Sequence, residues 1–265
     1  MALPDYSHPP VVEVVCGVTF KPLKALLGPH LGLIWQQFQD EYPQVQEVPP
    51  LTPVIEGFEG EDTAQLSFSN VPPLPRVWFV HGENTGIVQI QRDRFLHNWK
   101  KASDTDAYPR YPQVIELFKR HLGTFETFVE TQGLGPVEPI QYELTYVNLL
   151  PKGEGWSSFD DMHQVFSDFA WKNDSNRFLP TPDAFNWHTT FCLPDKLGRL
   201  HVSIQSHSPN NEDVIKLQLM VRGLPSSTSE YDVWQWFDTA REWIVRGFAD
   251  LGTEEIQNQV WRRKA

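Results

Sequence analysis

Two long stretches of the chain carry apolar residues at the spacing of an amphipathic helix. They occupy 111–132 and 230–251, and in each the apolar residues recur at i, i+3, i+4 and i+7, which places them on one helical face. The first set is Val114, Leu117, Phe118, Leu122, Phe125 and Val129, and the second is Val233, Phe237, Ala240, Ile244, Phe248 and Leu251. We therefore predict two long helices, each with one apolar face available for packing.

Other stretches alternate apolar and polar residues, which is the pattern of a strand with one buried face. The alternation is clearest at 199–207 and 214–222, whereas 11–20 is apolar on both faces, which is typical of a central strand. Further strands are predicted at 64–68, 76–81, 86–95, 140–150 and 185–193, and shorter helices at 31–42 and 159–169.

The order strand, helix, antiparallel strands and long helix occurs twice along the chain, once in 1–137 and once in 138–265. We therefore predict an α+β protein in which a duplicated unit forms one continuous antiparallel sheet within one compact domain. Both long helices are expected on one face of that sheet, which leaves the other face partly open. In topology alone, this layout resembles the saddle of TATA-box-binding proteins and the helix-grip folds.

An acidic, proline-rich excursion at 43–75 interrupts the first half. No Lys or Arg occurs between Ala25 and Pro75. The acidic residues of this region are Asp40, Glu41, Glu47, Glu56, Glu59, Glu61 and Asp62. Two interpretations stay open, a solvated loop and a docking surface for a basic partner.

The chain as a whole is acidic, with a formal net charge of −12 over 265 residues. This charge repels phosphates, so we expect neither free duplex DNA nor an anionic membrane as a partner. No stretch approaches the ~20 apolar residues of a membrane span, and the N-terminus shows no signal-peptide pattern. Cys16 and Cys192 fall inside predicted strands, which favours small buried hydrophobic residues in a reducing compartment, and a cytoplasmic location is expected.

The chain lacks the short motifs that mark common chemistries. There is no glycine-rich phosphate loop, no Cys-x-x-Cys or His-Glu-x-x-His and no Gly-x-Ser-x-Gly. His201 and His207 lie six residues apart on one strand, roughly 20 Å, which is too far for a shared metal ion. His188 on the neighbouring strand is the remaining partner for His201. We predict no catalytic residue, metal site or cofactor, and an enzyme without a recognisable motif is kept as an alternative.

The densest cluster of cationic and aromatic residues is 92–101, where the predicted strand 86–95 leads towards the first long helix. Its candidate ligand-binding residues are Arg92, Arg94, His97, Asn98, Trp99 and Lys100. Trp99 could stack on a nucleotide base or a small planar anion while the cations neutralise its charge. Two alternatives stay open: a structural cluster, in which the arginines pair with nearby carboxylates, and a protein interface.

The polar positions of the last predicted strands form a second candidate surface, on the side of the sheet expected to be open. They are His188, His201, Ser203, Gln205, Lys216, Gln218 and Arg222. A protein partner is expected on this surface or on the excursion 43–75. The expected function is that of a non-enzymatic binding or interaction protein. A small-molecule or nucleotide binder with its pocket at 92–101 is the alternative.

Several short stretches resemble an uncharacterised, sporadically distributed bacterial protein family of about this length. They are 9–20, Ile34-Trp35, Tyr42-Pro43 and 95–99. The resemblance covers most of the chain but implies no catalytic residues, because the family has no established activity. Its sporadic distribution is shared by genes of mobile islands, and it implies a component of a bacterial defence or toxin–antitoxin locus whose partner is encoded nearby.

Overall fold

The most apolar strand of the sequence, β1 (Val11–Phe20), lies at the centre of the sheet. The computed structural model describes residues 2–57, 74–169, 177–208, 212–223 and 232–264. On one side β1 pairs with β5 (Arg94–Lys100) and on the other with β6 (Pro139–Pro151), both antiparallel. Strands from the two predicted halves of the chain therefore meet at the middle of one sheet.

Six further strands extend the sheet on both sides. They are β2 (Gln44–Val48), β3 (Arg76–Val80), β4 (Gly86–Gln91), β7 (Asn186–Cys192), β8 (Arg199–His207) and β9 (Val214–Gly223). The order across the sheet is β2-β3-β4-β5-β1-β6-β9-β8-β7, with neighbouring strands antiparallel. The predicted α+β class and the single antiparallel sheet are confirmed.

The two long helices lie side by side over one face of this sheet. The helices are α1 (Gly28–Trp35), α2 (Tyr111–Thr131), α3 (Met162–Val165), α4 (Val233–Leu251) and α5 (Glu254–Gln259), with 3-10 turns at Phe159–Asp161 and Pro194–Lys196. Phe118 of α2 packs on Phe237 of α4 with ring centroids 5.3 Å apart. Within the described ranges, none of the helices has the length and apolarity required to cross a bilayer.

The core fills the space between the sheet and these helices. Val14, Cys16, Val18 and Phe20, the alternate residues of β1 on the helix side, are all fully buried. Phe125 of α2 contacts this row, with its ring 5.8 Å from that of Phe20. Burying each such side chain contributes about 1.5–3 kcal/mol, so this row fixes which face of the sheet the helices cover.

The predicted strand 86–95 is two strands, and this prediction is wrong. β4 ends at Gln91, the chain turns at Arg92 and Asp93, and β5 returns beside β4 from Arg94. Nearly every residue of both strands is buried. A strand covered on both faces shows no apolar–polar alternation, so the tight turn has no marker in the hydrophobic pattern.

Two predicted helices are shorter in the structure. The helix predicted at 31–42 ends at Trp35, after which i→i+3 bonds form tight turns and the Trp35 indole donates to the Tyr42 carbonyl at 3.1 Å. The helix predicted at 159–169 is a 3-10 turn followed by α3. It ends because Phe166 is extended and forms a bridge with Gly252.

Three other predictions concern strands and cysteines. β2 lies inside the excursion 43–75, at a place where no strand was predicted. The strand that was predicted in the excursion, 64–68, lies outside the described residues. Cys16 is buried as predicted, but Cys192 is exposed, because β7 is an edge strand that is only half covered.

Candidate functional site

The sheet face opposite α2 and α4, here called the open face, carries a row of polar side chains, several of which are buried. Strand alternation and register place on it Arg76, Gln89, Gln91, Arg94, Asn98, Gln141, Glu143, Arg199, His201, Gln218 and Arg222. Five of these, Gln89, Gln91, Arg94, Asn98 and Gln141, are buried. Burying a polar group without a partner costs free energy, so each of these side chains is expected to have a hydrogen-bond partner.

Some of these partners belong to the segment 51–57, which crosses the open face. The Gln91 side chain accepts from the Leu51 amide at 2.8 Å and donates to the Leu51 carbonyl at 2.9 Å. Gln141 repeats this arrangement, accepting from the Glu56 amide and donating to the Val54 carbonyl, both at 2.8 Å. Each of the two glutamine side chains thus binds one backbone N–H and one backbone carbonyl of the segment.

The spacing of these two glutamines shows how the segment runs. β4 and β6 are separated by β5 and β1, which is three strand spacings or about 14 Å. The five steps from Leu51 to Glu56 reach at most about 16–18 Å when fully extended. The segment therefore crosses the strands in a nearly extended conformation.

At its far end, the Glu56 carboxylate is surrounded by two arginines and a histidine. Its oxygens lie 2.5 Å from His201 Nε2, 3.3 Å from Arg199 Nη1 and 4.0 Å from Arg222 Nη1, and its side chain is 7% exposed. Burial alone raises the pKa of Glu56, but the hydrogen bond and charge of His201, together with Arg199 and Arg222, outweigh it. The pKa is lowered, so Glu56 is a carboxylate at neutral pH.

The other end of the open face carries a connected hydrogen-bond network. Gln89 accepts from Arg76 Nη1 and from the Trp78 indole, both at 2.9 Å, and donates to Asn98 at 2.7 Å. Asn98 in turn donates to Glu13 at 2.6 Å. The network links β3, β4, β5 and β1, and it fixes the orientation of the side chains in this half of the face.

Arg94 lies beside this network and retains an unused donor. Its Nε is 3.6 Å from Asp93 Oδ1 and has no hydrogen-bond partner within the described ranges, although the side chain is only 8% exposed. Burial, and then the charge of Arg94, lower the pKa of Arg76. Two arginines are therefore held close together on the open face, an arrangement that favours a negatively charged neighbour.

The six residues predicted to bind a ligand at 92–101 are separated by the sheet. Arg94, Asn98 and Lys100 lie on the open face, whereas His97 and Trp99 are opposite Cys16 and Val14 and lie on the helix side. The predicted junction between strand and helix does not exist at this point, because β5 continues to Lys100. The proposed grouping of Trp99 with Arg94 and Asn98 is therefore not formed.

The remaining contacts of this stretch are structural. Trp99 packs on Tyr108 with centroids 5.2 Å apart, and Arg92 in the turn donates to the Leu26 carbonyl at 3.2 Å. Had the turn at 92–93 been recognised, the period-two alternation of β5 would have divided the six residues correctly.

The seven residues of the second predicted surface do share one face. His188 pairs with Ser203 and Ser203 with Gln218, while Gln205 pairs with Lys216, and the remaining members, His201 and Arg222, lie on the same side by alternation. The sequence did not point to Gln91, Gln141 or Glu56. Arg199 could have been found, because it begins the same alternating row as His201.

His188 and His201 are adjacent but do not form a metal site. Their rings stack with centroids 5.9 Å apart, and Thr190 Oγ1 lies 3.2 Å from His201 Nδ1. Among the residues that the structure describes, no group of three or more His, Cys, Asp or Glu side chains is positioned to hold a metal ion. Glu56 contacts the other ring nitrogen of His201.

On the helix side, His97 of β5 faces His121 of α2. Their Nδ1 atoms are 3.2 Å apart, both side chains are buried, and His97 Nε2 has no hydrogen-bond partner in the described part of the chain. Burial is the largest cause that lowers the pKa of His97 well below its ordinary value, followed by His121, Arg120 and His81. Burial, followed by Arg120 and His81, lowers the pKa of His121 to about 4. Both rings are therefore neutral at pH 7, and one ring donates a hydrogen bond to the other.

Comparison with protein-family models, with curated proteins and with solved structures found no match to this chain. The resemblance to a bacterial family therefore stays an expectation from the sequence.

Proposed function

We propose that this is a non-enzymatic binding protein that recognises an extended acidic segment of a partner protein on the open face. The observation that carries the proposal is the way the open face binds 51–57. Gln91 and Gln141 bind backbone groups, and His201, Arg199 and Arg222 surround a carboxylate. The segment 51–57 serves as an intramolecular stand-in for the partner.

The two kinds of contact recognise different parts of a peptide, its backbone and its acidic side chain. Amide side chains that bind a backbone hold any extended peptide, as a neighbouring strand does. The cations around Glu56 add a preference for an acidic side chain, because hydrogen bonds to a charged group are stronger than neutral ones. Arg94 and Arg76 provide a second cationic position along the same face. The face is thus locally cationic in a protein whose net charge is −12.

Because 51–57 belongs to the same chain, it competes with a partner at a high effective concentration. A short tether gives an effective concentration in the millimolar range, so the segment 51–57 acts as a weak competitor that is always present. A partner must therefore bring additional contacts or act where 51–57 is released. Binding of this kind is steered by charge and weakens as salt concentration rises.

The order of the strands supports the duplication that the sequence suggested. From the centre outward, the first half runs β1, β5, β4, β3, β2 and the second half runs β6, β9, β8, β7, and in each half a long helix follows the strands. On this proposal the open face is the shared concave surface of a saddle built from two related halves. A role in a bacterial defence or toxin–antitoxin locus is proposed from the family resemblance alone.

The test uses a fluorescent peptide with the sequence of 49–57, supplied in solution and followed by anisotropy. The Glu56→Gln variant is expected to bind it about tenfold more tightly than the wild-type protein, because its own segment has lost a charge-assisted contact of about 1.5–3 kcal/mol. The same peptide with glutamine in place of its glutamate is expected to bind the variant at least about tenfold more weakly.

Glu83→Gln is the matched control, since Glu83 is an exposed carboxylate in the turn between β3 and β4. It is expected to bind the peptide as the wild-type protein does. Equal affinity of the Glu56→Gln variant for the two peptides, or no binding at millimolar peptide, would show that the open face does not recognise acidic segments.

A further inference from the structure

A cavity of about 460 Å³ lies on the helix side of the sheet, away from the open face. It is bounded by the N-terminal residues, the start of α2 and the second half of α4, and its floor is formed by β1, β6 and β9. This volume falls within the roughly 300–1,000 Å³ of pockets that bind small molecules.

The walls of this cavity divide into an apolar and a polar part. The apolar part includes Val11, Leu219, Ile244, Val245 and Phe248. The polar part includes Tyr108, Tyr111, Tyr146, Asn148 and Arg241, together with the ion-paired Asp5 and Arg110. Pockets with mostly apolar walls and a few convergent polar groups are those that hold and orient an amphipathic ligand.

Three tyrosine hydroxyls lie in the polar part. Tyr108 and Tyr146 hydrogen bond to each other at 2.9 Å. Tyr111 is buried, and its hydroxyl makes no hydrogen bond of normal geometry with any described residue, although the Asp238 carboxylate lies near enough to contribute, after burial, to its raised pKa. Burial raises the pKa of Tyr108 to about 12 and that of Tyr111 further, so both hydroxyls keep their protons and remain donors. A buried donor without an acceptor is rare in folded proteins and calls for an explanation.

Arg241 supplies a positive charge beside this donor. Its guanidinium carbon lies 4.8 Å from the centroid of the Tyr111 ring. Among the residues that the structure describes, no carboxylate lies within ion-pair distance of Arg241, whereas Arg110 at the same cavity is bound to Asp5 at 2.9 Å. The cavity therefore places a cation and a buried hydroxyl donor beside apolar walls.

We propose that this cavity binds a small monocarboxylic acid with an apolar body, its carboxylate at Arg241 and the Tyr111 hydroxyl. The carboxylate satisfies both groups at once, and the apolar body lies against Leu219, Ile244 and Phe248. A neutral analogue of the same length loses the charge-assisted part of this binding. The site is separate from the open face, so it is independent of the function proposed above.

The probes are decanoate, phenylpropionate and decanol, titrated into the full chain by calorimetry. Both acids are expected to bind, and decanol at least about tenfold more weakly. Arg241→Gln is expected to weaken decanoate about tenfold while leaving decanol unchanged. Tyr111→Phe is expected to weaken decanoate without lowering the melting temperature, because the hydroxyl it removes makes no hydrogen bond of normal geometry with a described residue.

Two further variants locate the site. Val245→Trp fills the cavity and is expected to abolish binding of every probe. Arg246→Gln is the matched control on the same helix, since Arg246 pairs with Glu242 at 2.7 Å outside this cavity, and it is expected to bind decanoate normally. The proposal is overturned if neither acid binds the wild-type protein, or if decanoate binds the folded Arg241→Gln and Tyr111→Phe variants with unchanged affinity.

Discussion

Lowering the pH from 7 to 5 is expected to reduce the free energy of unfolding by about 4 kcal/mol through the His97–His121 pair. Both pKa values are lowered in the folded protein, so the unfolded chain binds protons more readily than the folded one. The stability that the neutral pair contributes is complete above about pH 6.5. Below that pH, the contribution of each ring to the free energy of unfolding falls by about 1.4 kcal/mol per pH unit. The loss from His121 continues until its folded pKa of about 4 is reached.

Urea unfolding at pH 7, 6 and 5 measures this loss directly. The His97→Leu/His121→Leu double variant replaces both rings with apolar groups, so it is expected to lose about 4 kcal/mol less than the wild-type protein over the same range. His163→Gln removes an exposed histidine on α3 and is expected to retain the wild-type pH dependence. Identical pH dependence in the wild-type protein and the double variant would mean that the pair is not held neutral by the fold.

Replacing Gly223 with alanine is expected to destabilise the protein by about 3 kcal/mol or more. Gly223 ends β9, where the turn before β8 lies directly against its Cα. A Cβ placed there would overlap the Leu197 carbonyl oxygen and approach Gly198 Cα to 2.6 Å, although real Cβ atoms essentially never come within 3.0 Å of such atoms. The same Leu197 oxygen accepts from the Trp236 indole at 2.8 Å, so moving the turn also disturbs a buried hydrogen bond.

Gly123→Ala provides the matched comparison. Gly123 lies inside α2, and a Cβ at this position meets nothing within 4 Å. Alanine is better suited to a helix interior, so this variant is expected to gain about 0.5–1 kcal/mol. Chemical denaturation of the two variants should therefore give changes of opposite sign. A Gly223→Ala protein as stable as the wild type would show that the turn at 197–198 can move freely.

The sequence predicted elements well wherever one face of an element is buried and the other exposed. β8 and β9 alternate cleanly, so their bounds and six of the seven polar residues of one face could be assigned from the period of two, while His188 lies on the neighbouring β7. The two long helices could be predicted for the same reason, because their apolar faces repeat at helical spacing.

Where both faces are covered, the pattern carries no such information. The buried polar residues of β4 and β5, such as Gln89 and Asn98, interrupt the apolar run without marking an exposed face. The turn between the two strands was therefore missed, and with it the division of Arg94 and His97 between two faces. Glu56 could not be assigned because its partner His201 is 145 residues away, and only the fold brings the two together.

The position of β1 has a consequence for synthesis on the ribosome. β1 is complete at Phe20, but its two neighbours in the sheet are complete only at Lys100 and Pro151. At about 5–20 residues per second, the 80 residues from Phe20 to Lys100 take about 4–16 s, and the second neighbour follows later still. Throughout that time the emerging chain presents a ten-residue apolar strand with neither edge paired, which is a favourable binding site for a ribosome-associated chaperone.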